Sequence, residues 1–195
     1  MISPADGVAF TTAADGDMRR DRQARERLGL AEWATVRQVH GATVVGVSGS
    51  GDQGEADGLF TTEVGLPLAV LTADCLGVVI HGPGRVAVVH AGWRGVASGV
   101  VTNAVERVGD VRSAHIGPHI RPCCFEVGPE VSARFVGHLG RTTSGTISVD
   151  LASAVAAQLP VEPEIMDRCT RCGSDTFSHR RNGTGERLAA VGWVP

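Results

Sequence analysis

Two short apolar runs on either side of a glycine-proline turn limit the fold of this chain more than any other feature. Residues 76–80 (LGVVI) and 86–89 (VAVV) flank residues 81–84 (HGPG). Runs rich in β-branched residues that are separated by a Gly/Pro turn are typical of a β-hairpin. We therefore expect two antiparallel strands here, in the middle of the 195-residue chain.

The register of this hairpin predicts a cysteine beside a histidine. If residues 81–84 form the turn, Ile80 faces Arg85, and Cys75 then lies opposite His90. Directly opposed residues have Cβ atoms about 4.5–5.5 Å apart. At that separation a thiolate and an imidazole can share one metal ion, because Zn–S and Zn–N bonds are about 2.3 Å and 2.0 Å long.

A third candidate ligand is His40, which follows the segment Arg37-Gln38-Val39 at a strand-to-turn junction. Together with Cys75 and His90, it would form a His/Cys/His set of ligands. Three such ligands with an open fourth position are typical of a catalytic rather than a structural zinc site. The same residues are also compatible with a buried cysteine and two hydrogen-bonded histidines.

The rest of the chain alternates short strands and helices. Further strands are predicted at 8–12, 34–39, 43–47, 113–116, 164–166 and 188–193, and helices at 17–28, 96–108, 129–138 and 151–159. Residues 48–54 match a G-x-G-x-x-G pattern, but no helical period follows, so we expect a plain loop. Without a strict βαβ rhythm, these elements favour a single α+β domain, residues 1–195, with mixed sheets.

Composition excludes several classes of function. The net charge of −3 implies no general affinity for nucleic acid. The chain contains no lysine, since all 18 cationic side chains are arginine, so Schiff-base and P-loop lysine chemistry are excluded. Any bound anion must therefore be held by arginine, by backbone N–H groups or by a metal.

The N-terminus and the cysteine content indicate the compartment. The first ten residues, MISPADGVAF, lack the basic and apolar regions of a signal peptide, and no apolar run is long enough to span a membrane. We therefore expect a cytoplasmic protein that does not associate with membranes. In that setting, metal-binding or catalytic roles for the five cysteines rank above disulfides.

Sequence boxes along nearly the whole chain resemble one family. They are RQVHGATV, ADGLFTT, LTADCLGVVI, VAVVHAGWRG, IGPHIRPCCFEVG, and the closing CTRC and TFSHRRNGTGERLAAVGW. The resemblance is to the YfiH-like proteins, also called laccase-domain or multicopper polyphenol oxidoreductase proteins. It implies an α/β/β/α sandwich and a zinc-dependent purine nucleoside phosphorylase. It also implies the associated activities of adenosine deamination and methylthioadenosine phosphorolysis.

The resemblance also implies roles for individual residues. The family's metal triad corresponds to His40, Cys75 and His90, the residues already singled out. We expect Cys75, His90 and Arg94 to take part in catalysis. Asp74 is expected to act as an acid or base or to orient a metal ligand. An aspartate at the end of a strand is also compatible with simply accepting hydrogen bonds from a turn.

The expected ligands are a purine nucleoside and phosphate. Arg37 and Arg94 are candidates for binding phosphate, with Gln38 and His119 as further substrate-binding residues. His119 and Arg121 stand where small residues are usual in the family, so we expect them to reshape the mouth of the pocket. No nucleic-acid partner is expected, and the predicted assembly is a monomer or a weak homo-oligomer.

Three other classes of function are compatible with parts of the sequence. A copper-dependent laccase needs more histidines than the seven present, mostly in H-x-H pairs, which the chain lacks. A metal-free cysteine hydrolase would use Cys75 as nucleophile and His90 as base. A non-enzymatic binding module is the third. Zinc remains the expected metal, with copper as the alternative.

Two pairs of cysteines do not belong to the expected metal triad. Cys123-Cys124 and Cys169-x-x-Cys172 could combine as a second metal site. Their spacing does not match a recognised zinc ribbon, so we expect them to be buried free thiols.

Overall fold

Two β-sheets form the centre of the molecule, which is described over residues 1–195 by a computed structural model. The strands are β1 Val8–Phe10, β2 Ala34–Arg37, β3 Val44–Gly46, β4 Gly51–Glu55, β5 Gly58–Thr61, β6 Leu68–Thr72, β7 Leu76–Gly82, β8 Arg85–Ala91, β9 Ser113–Ile116, β10 Leu139–Arg141, β11 Ile147–Val149, β12 Glu164–Ile165 and β13 Leu188–Gly192. The α-helices are α1 Arg22–Arg27, α2 Trp93–Ala97, α3 Val100–Val108, α4 Pro129–Ser132, α5 Leu151–Ala156 and α6 His179–Asn182. Single 3₁₀ turns occur at Ala13–Asp15 and Val136–His138.

Both large sheets mix parallel and antiparallel strands, as the irregular order of elements predicts. The first sheet has the order β1-β13-β6-β2-β4, in which β2 pairs in parallel with both β6 and β4. The second has the order β12-β9-β7-β8-β5-β3 around the central hairpin. Strands β10 and β11 form a separate small ribbon. None of the helices has the length and hydropathy needed to cross a bilayer.

The sheets stack face to face, with helices outside each of them. Side chains of the first sheet, such as Val70, pack between the sheets against Val79 and Val88 of the hairpin. The opposite face of the hairpin, including Val78 and Val89, is covered by α3 and α5. The outer face of the first sheet is covered by Met18, Ala24 of α1 and Trp33. This arrangement confirms the expected single-domain α/β/β/α sandwich.

The central hairpin is confirmed, but its register is not the predicted one. Strand β7 continues to Gly82, so the turn is only Pro83-Gly84, and Ile80 pairs with Ala87 instead of Arg85. Gly84 has φ 64° and supplies the left-handed conformation that so short a turn requires. The residue opposite His90 is therefore Gly77 and not Cys75. Because the shift is two residues, every side chain stays on its predicted face of the sheet.

Several predicted element boundaries are also wrong. The first helix spans only Arg22–Arg27 because the Asp21 carboxylate caps it, accepting a 2.9 Å hydrogen bond from the Ala24 N–H. The single helix expected at 96–108 is divided by Gly99, whose φ is 86°. The helix expected at 129–138 is reduced to α4 and a 3₁₀ turn. Part of the expected loop at 48–54 forms β4 through pairing with β2, a contact that local sequence does not show.

Candidate metal centre

His40, Cys75 and His90 meet at one end of the sandwich. Their ligand atoms all lie within 4.8 Å of one another. His40 follows β2 of the first sheet, Cys75 precedes β7 of the second, and His90 lies near the end of β8. The two imidazole rings are nearly perpendicular, with centroids 4.9 Å apart. The predicted triad is thus assembled at the junction of the two sheets, although through a different register.

A buried carboxylate that was not among the predicted site residues holds two members of the triad. Asp57, which is fully buried, accepts a 2.9 Å hydrogen bond from the His40 N–H through Oδ1. The same oxygen lies 2.8 Å from Nδ1 of His90. Its Oδ2 accepts bonds from the N–H groups of Gly41 (2.6 Å) and Val39 (3.2 Å). Asp57 therefore fixes the loop that carries His40 and orients the His90 ring.

The sequence contains a signal for Asp57 that needs the strand pairing to be recognised. Asp57 directly precedes β5, and it lies just beyond the Gly58–Val89 pair of strands β5 and β8. Its carbonyl oxygen accepts a 2.7 Å hydrogen bond from the His90 N–H. Once β5 is placed beside β8, an aspartate at this position must lie next to His90. Metal-ligating histidines usually donate their second ring N–H to such a carboxylate.

The backbone around the triad is strained and closely packed. His40 has φ 61°, a left-handed conformation that costs a residue other than glycine about 1–3 kcal/mol. The three hydrogen bonds from residues 39–41 to Asp57 offset that cost. Gly92 completes the packing, since a Cβ atom there would lie 2.9 Å from Cδ2 of His40 and 3.3 Å from Sγ of Cys75.

The charges in the site favour a thiolate. Burial raises the pKa of Cys75, but the imidazoles of His40 and His90 outweigh burial and lower it to about 6. Burial lowers the pKa of His90, but its contacts with Asp57 and Cys75 raise it to about 9. Burial alone would raise the pKa of Asp57, yet hydrogen bonds from His90 and the Gly41 N–H hold it below its usual value. In the protein without metal, these contacts therefore favour the thiolate of Cys75 over its neutral thiol.

These residues fit a transition-metal ion. Thiolate and imidazole are the ligand types that zinc and copper prefer. Nδ1 of His90 is engaged with Asp57, so Nε2 is left to bind the ion. Three protein donors are one fewer than a tetrahedral zinc site has, and in catalytic zinc sites the fourth position is taken by water or substrate. A metal-binding cluster is present, and its geometry does not distinguish zinc from copper.

A cavity of about 560 Å³ opens over the triad. Its volume is within the usual range for small-molecule sites. Its wall includes five arginines, Arg19, Arg37, Arg94, Arg180 and Arg187. Its apolar lining comprises Val36, Leu71, Ala73, Trp93, Ile120, Phe125 and Leu151. A polyanionic group and a flat apolar ring system could both be accommodated there.

Three of the four residues expected to bind substrate line this cavity. Arg94 is exposed, and its guanidinium lies over the Trp93 ring, 4.2 Å from the centroid. Arg37 also reaches the wall but forms a 3.2 Å ion pair with Glu55. The Gln38 amide donates to the Leu71 carbonyl (2.7 Å) and accepts from the Leu71 N–H (2.8 Å). Gln38 therefore joins β2 to β6, and its amide is already satisfied within the protein.

His119 does not reach the cavity. Only 1 % of the residue is exposed, and its Nδ1 lies 2.8 Å from the Gly117 carbonyl oxygen. The side chain is enclosed because its backbone pairs with the loop at residues 168–170. His119 therefore does not line the cavity, and its role in substrate binding, which this enclosed position does not favour, stays a prediction. Arg19, which sequence reasoning missed, does line the wall, because the segment before α1 packs against the first sheet.

Asp74 is held by two donors. Oδ1 accepts a 2.6 Å hydrogen bond from the Thr170 hydroxyl, and Oδ2 accepts a 2.7 Å bond from the Arg180 N–H at the start of α6. The φ of Asp74 is 105°, a conformation that is rare outside glycine. These contacts fix the backbone directly before Cys75, so the residue anchors a ligand of the triad to the closing segment of the chain.

The chain is similar to known proteins along nearly its whole length. The family model for multi-copper polyphenol oxidoreductase laccase matches residues 14–194. This chain belongs to that family. It is 39% identical over 198 residues to a purine nucleoside phosphorylase of Streptomyces griseus, covering 90% of this chain and 80% of that protein. It is 35% identical to the purine nucleoside phosphorylase YlmD of Geobacillus stearothermophilus, covering 84% and 73%.

Solved structures show the same architecture. The crystal structure of YlmD from Geobacillus stearothermophilus superimposes with a TM-score of 0.82 at 29% identity, covering 100% of this chain and 94% of that one. The hypothetical protein YfiH of Bacillus licheniformis gives a TM-score of 0.84 at 23% identity, covering 96% and 92%. The family assignment and the sandwich fold that the sequence boxes predict are therefore confirmed.

We expect Asp57→Asn to weaken metal binding at the triad by about 10–100-fold, the usual effect of losing a carboxylate that orients a metal ligand. The asparagine amide cannot accept hydrogen bonds at both Oδ positions, so either the His40 loop or the His90 ring loses its partner. Competition of the metal-loaded protein with a chromophoric chelator measures this change.

Asp52→Asn is the matched control. Asp52 is an exposed aspartate on β4 whose Oδ1 accepts a 2.9 Å bond from the Gly54 N–H, away from the triad. The metal affinity of the Asp52→Asn variant should equal that of the unmodified protein. If the Asp57→Asn variant also binds metal with the affinity of the unmodified protein, the role given to the Asp57 carboxylate is contradicted.

Proposed function

We propose that this chain is a zinc-dependent purine nucleoside phosphorylase. The observation that carries the proposal is the open His40/Cys75/His90 set at the wall of a cavity with both arginine and apolar surfaces. The names of the relatives in Streptomyces griseus and Geobacillus stearothermophilus support the same reaction class. The substrates would be a purine nucleoside and inorganic phosphate.

Phosphorolysis makes two different demands on a site. A phosphate oxygen forms a bond to the anomeric carbon of the ribose while the bond from that carbon to the purine breaks. The purine takes the electron pair and a proton, so the products are ribose 1-phosphate and the free base. The site must therefore hold an anion beside the ribose and an apolar ring next to it.

The cavity offers both kinds of surface. The Trp93 indole and the Phe125 ring provide flat apolar surfaces of the kind on which a purine stacks. Arg180 lies over the Phe125 ring, with its guanidinium carbon 5.6 Å from the centroid. The guanidinium groups of Arg19 and Arg94 have no hydrogen-bond or ion-pair partner within the protein. They are the groups best placed to bind phosphate, because guanidinium forms bidentate bonds with phosphate oxygens.

The residues around the triad supply positioning and charge. A zinc ion held by His40, Cys75 and His90 would act as a Lewis acid toward an oxygen or nitrogen of the substrate. Asp57 keeps the His90 ring in one orientation through its Nδ1 contact. Asp74 keeps the segment before Cys75 in place, and its two donors favour a positioning role over proton transfer.

The reaction class is tested with zinc-loaded protein and a set of nucleosides. We expect adenosine, inosine and guanosine to release free base only when phosphate is present, with ribose 1-phosphate formed in equal amount. Chromatography of the products measures both. Conversion of adenosine to inosine without phosphate would indicate deamination instead. Activity that appears with copper and not with zinc would contradict the proposed metal.

We expect Arg94→Ala to raise the KM for phosphate by about tenfold or more, with unchanged metal content. A hydrogen bond to a charged group contributes about 1.5–3 kcal/mol, and about 1.4 kcal/mol corresponds to a factor of ten. Steady-state kinetics with phosphate as the varied substrate, at saturating nucleoside, measures the change.

Arg134→Ala serves as the control for Arg94→Ala, because Arg134 is exposed and does not line the cavity. Its phosphate KM should match that of the unmodified protein. If the KM for phosphate is the same in both variants, Arg94 does not bind phosphate.

A cysteine hydrolase is a second candidate, and one observation favours it. Cys75, His90 and Asp57 form a thiol–imidazole–carboxylate series, with the thiol pKa lowered to about 6 and Asp57 2.8 Å from Nδ1 of His90. Nucleophilic cysteines are activated in this way. The presence of His40 next to Cys75 and His90 favours the metal site, because a hydrolase of this type needs only one histidine.

Alkylation of Cys75 distinguishes the two candidates. If Cys75 binds zinc, iodoacetamide should modify it slowly in the holo protein and much faster after chelation. In the chelated protein the rate should rise with pH and reach half its maximum near pH 6, since the thiolate forms above the lowered pKa of about 6. Mass spectrometry of the peptide that contains Cys75 measures the rate.

The Cys75→Ser variant supplies the second measurement. For a zinc ligand, metal affinity and activity are lost together. Rapid alkylation of Cys75 without a chelator, with turnover abolished in Cys75→Ser while the bound metal is retained, would support the hydrolase.

A further inference from the structure

Four cysteines that the proposed reaction does not use lie together away from the triad. Cys123 and Cys124 follow the loop after β9, and Cys169 and Cys172 lie in the loop after β12. Their sulfur atoms all lie within 4.8 Å of one another. We propose that this cluster is a second metal site, a structural tetrathiolate centre that takes zinc. The inference is independent of the proposed function.

Two of the sulfur–sulfur distances are close to those of a tetrahedral zinc site. With Zn–S bonds of about 2.3 Å, tetrahedral geometry places neighbouring sulfur atoms about 3.8 Å apart. Sγ of Cys123 lies 3.6 Å from Sγ of Cys124 and 3.7 Å from Sγ of Cys172. The Cys124–Cys172 distance is 3.0 Å, so this pair must separate by less than 1 Å for a zinc ion to be bound.

The backbone brings the two loops together independently of the thiols. The His119 N–H donates to the Arg168 carbonyl (3.2 Å), and the Thr170 N–H donates to the His119 carbonyl (3.0 Å). The Arg121 N–H also donates to Sγ of Cys169 at 3.5 Å. Amide hydrogen bonds to sulfur stabilise negative charge on a thiolate, which is the form that binds metal. These backbone hydrogen bonds therefore hold the loop of Cys169 and Cys172 next to the loop of Cys123 and Cys124.

The ligand set indicates a structural role. Four thiolates complete the coordination of zinc and leave no position for a substrate. Cys124 is buried, with 6 % exposed, whereas Cys172 is on the surface. An ion can therefore enter from the side of Cys172 and be enclosed on the other side.

The cluster lies behind the wall of the cavity. Thr170, next to Cys169, donates its hydroxyl hydrogen to Asp74, and the Ile120 N–H donates to the Asp74 carbonyl at 2.9 Å. Phe125, next to Cys124, lines the cavity directly. Joining the two loops through one ion would fix these contacts and hence the backbone that precedes Cys75.

Paired cysteine variants test the site, with Co²⁺ as the probe. The full-length chain is stripped of metal under reducing conditions and titrated with Co²⁺, whose thiolate charge-transfer and d–d absorption reports tetrahedral sulfur ligation. We expect about two Co²⁺ per chain in the unmodified protein and about one in Cys75→Ser, which keeps the tetrathiolate spectrum. The same substitution at the exposed Cys172 should remove that spectrum and leave the triad site.

Thermal unfolding supplies a second readout that does not involve activity. In the Cys75→Ser background, Zn²⁺ should raise the melting temperature of the stripped, reduced protein by about 5 °C or more, because the ion binds only the folded cluster. In the double variant Cys75→Ser/Cys172→Ser, Zn²⁺ should leave the melting temperature unchanged. Failure of reduced Cys75→Ser to bind Co²⁺ would overturn the inference. A Cys124–Cys172 disulfide found by peptide mapping of freshly purified protein would also overturn it.

Discussion

The carboxylate of Asp57 is the group on which the candidate site depends. It is fully buried, and it is satisfied by three backbone N–H groups and by the ring of His90. A buried charge without such partners is destabilising by several kcal/mol, so the loop and the ring are held in the one arrangement that satisfies it. That arrangement places the rings of His40 and His90 with their centroids 4.9 Å apart, next to Cys75. The strained conformation of His40 is maintained by the same contacts.

The two sheets make this arrangement possible because each carries part of the site. His40 extends from the first sheet, His90 belongs to the second, and Cys75 lies in the connection between them. Close approach of the sheets is required, and Gly77 shows how close it is, since a Cβ atom there would lie 2.3 Å from Cβ of Ala190. Packing between the sheets, rather than local preference, therefore sets the separation of the ligands.

Arginine supplies all the permanently charged cationic side chains of the cavity. Five guanidinium groups surround it in a chain without lysine, although the protein as a whole is acidic. Arg37 is partly neutralised by Glu55, and Arg180 and Arg187 donate to backbone carbonyls. Arg19 and Arg94 keep their bonding capacity for a ligand. The wall of the cavity thus places two unpaired guanidinium groups in the same site as the thiolate and imidazole ligands, which suits the two substrates of the proposed reaction, a purine nucleoside and inorganic phosphate.

Sequence alone predicted the hairpin, the mixed α/β/β/α architecture, the family and the three residues that meet in the candidate metal centre. Those conclusions depend on local patterns, namely β-branched runs, a Gly/Pro turn and characteristic boxes around His40, Cys75 and His90. The predicted register was wrong by two residues. The prediction that the three residues meet was not affected, because side chains alternate with period two along a strand and a shift of two residues keeps each on its face of the sheet. Only the tertiary structure decided that Asp57 joins the site, that His119 is enclosed and that Arg19 reaches the cavity. It also brought four cysteines from two distant segments within 4.8 Å of one another. These are contacts between residues far apart in the chain, and they are fixed by strand pairing and sheet packing, which no local spacing encodes.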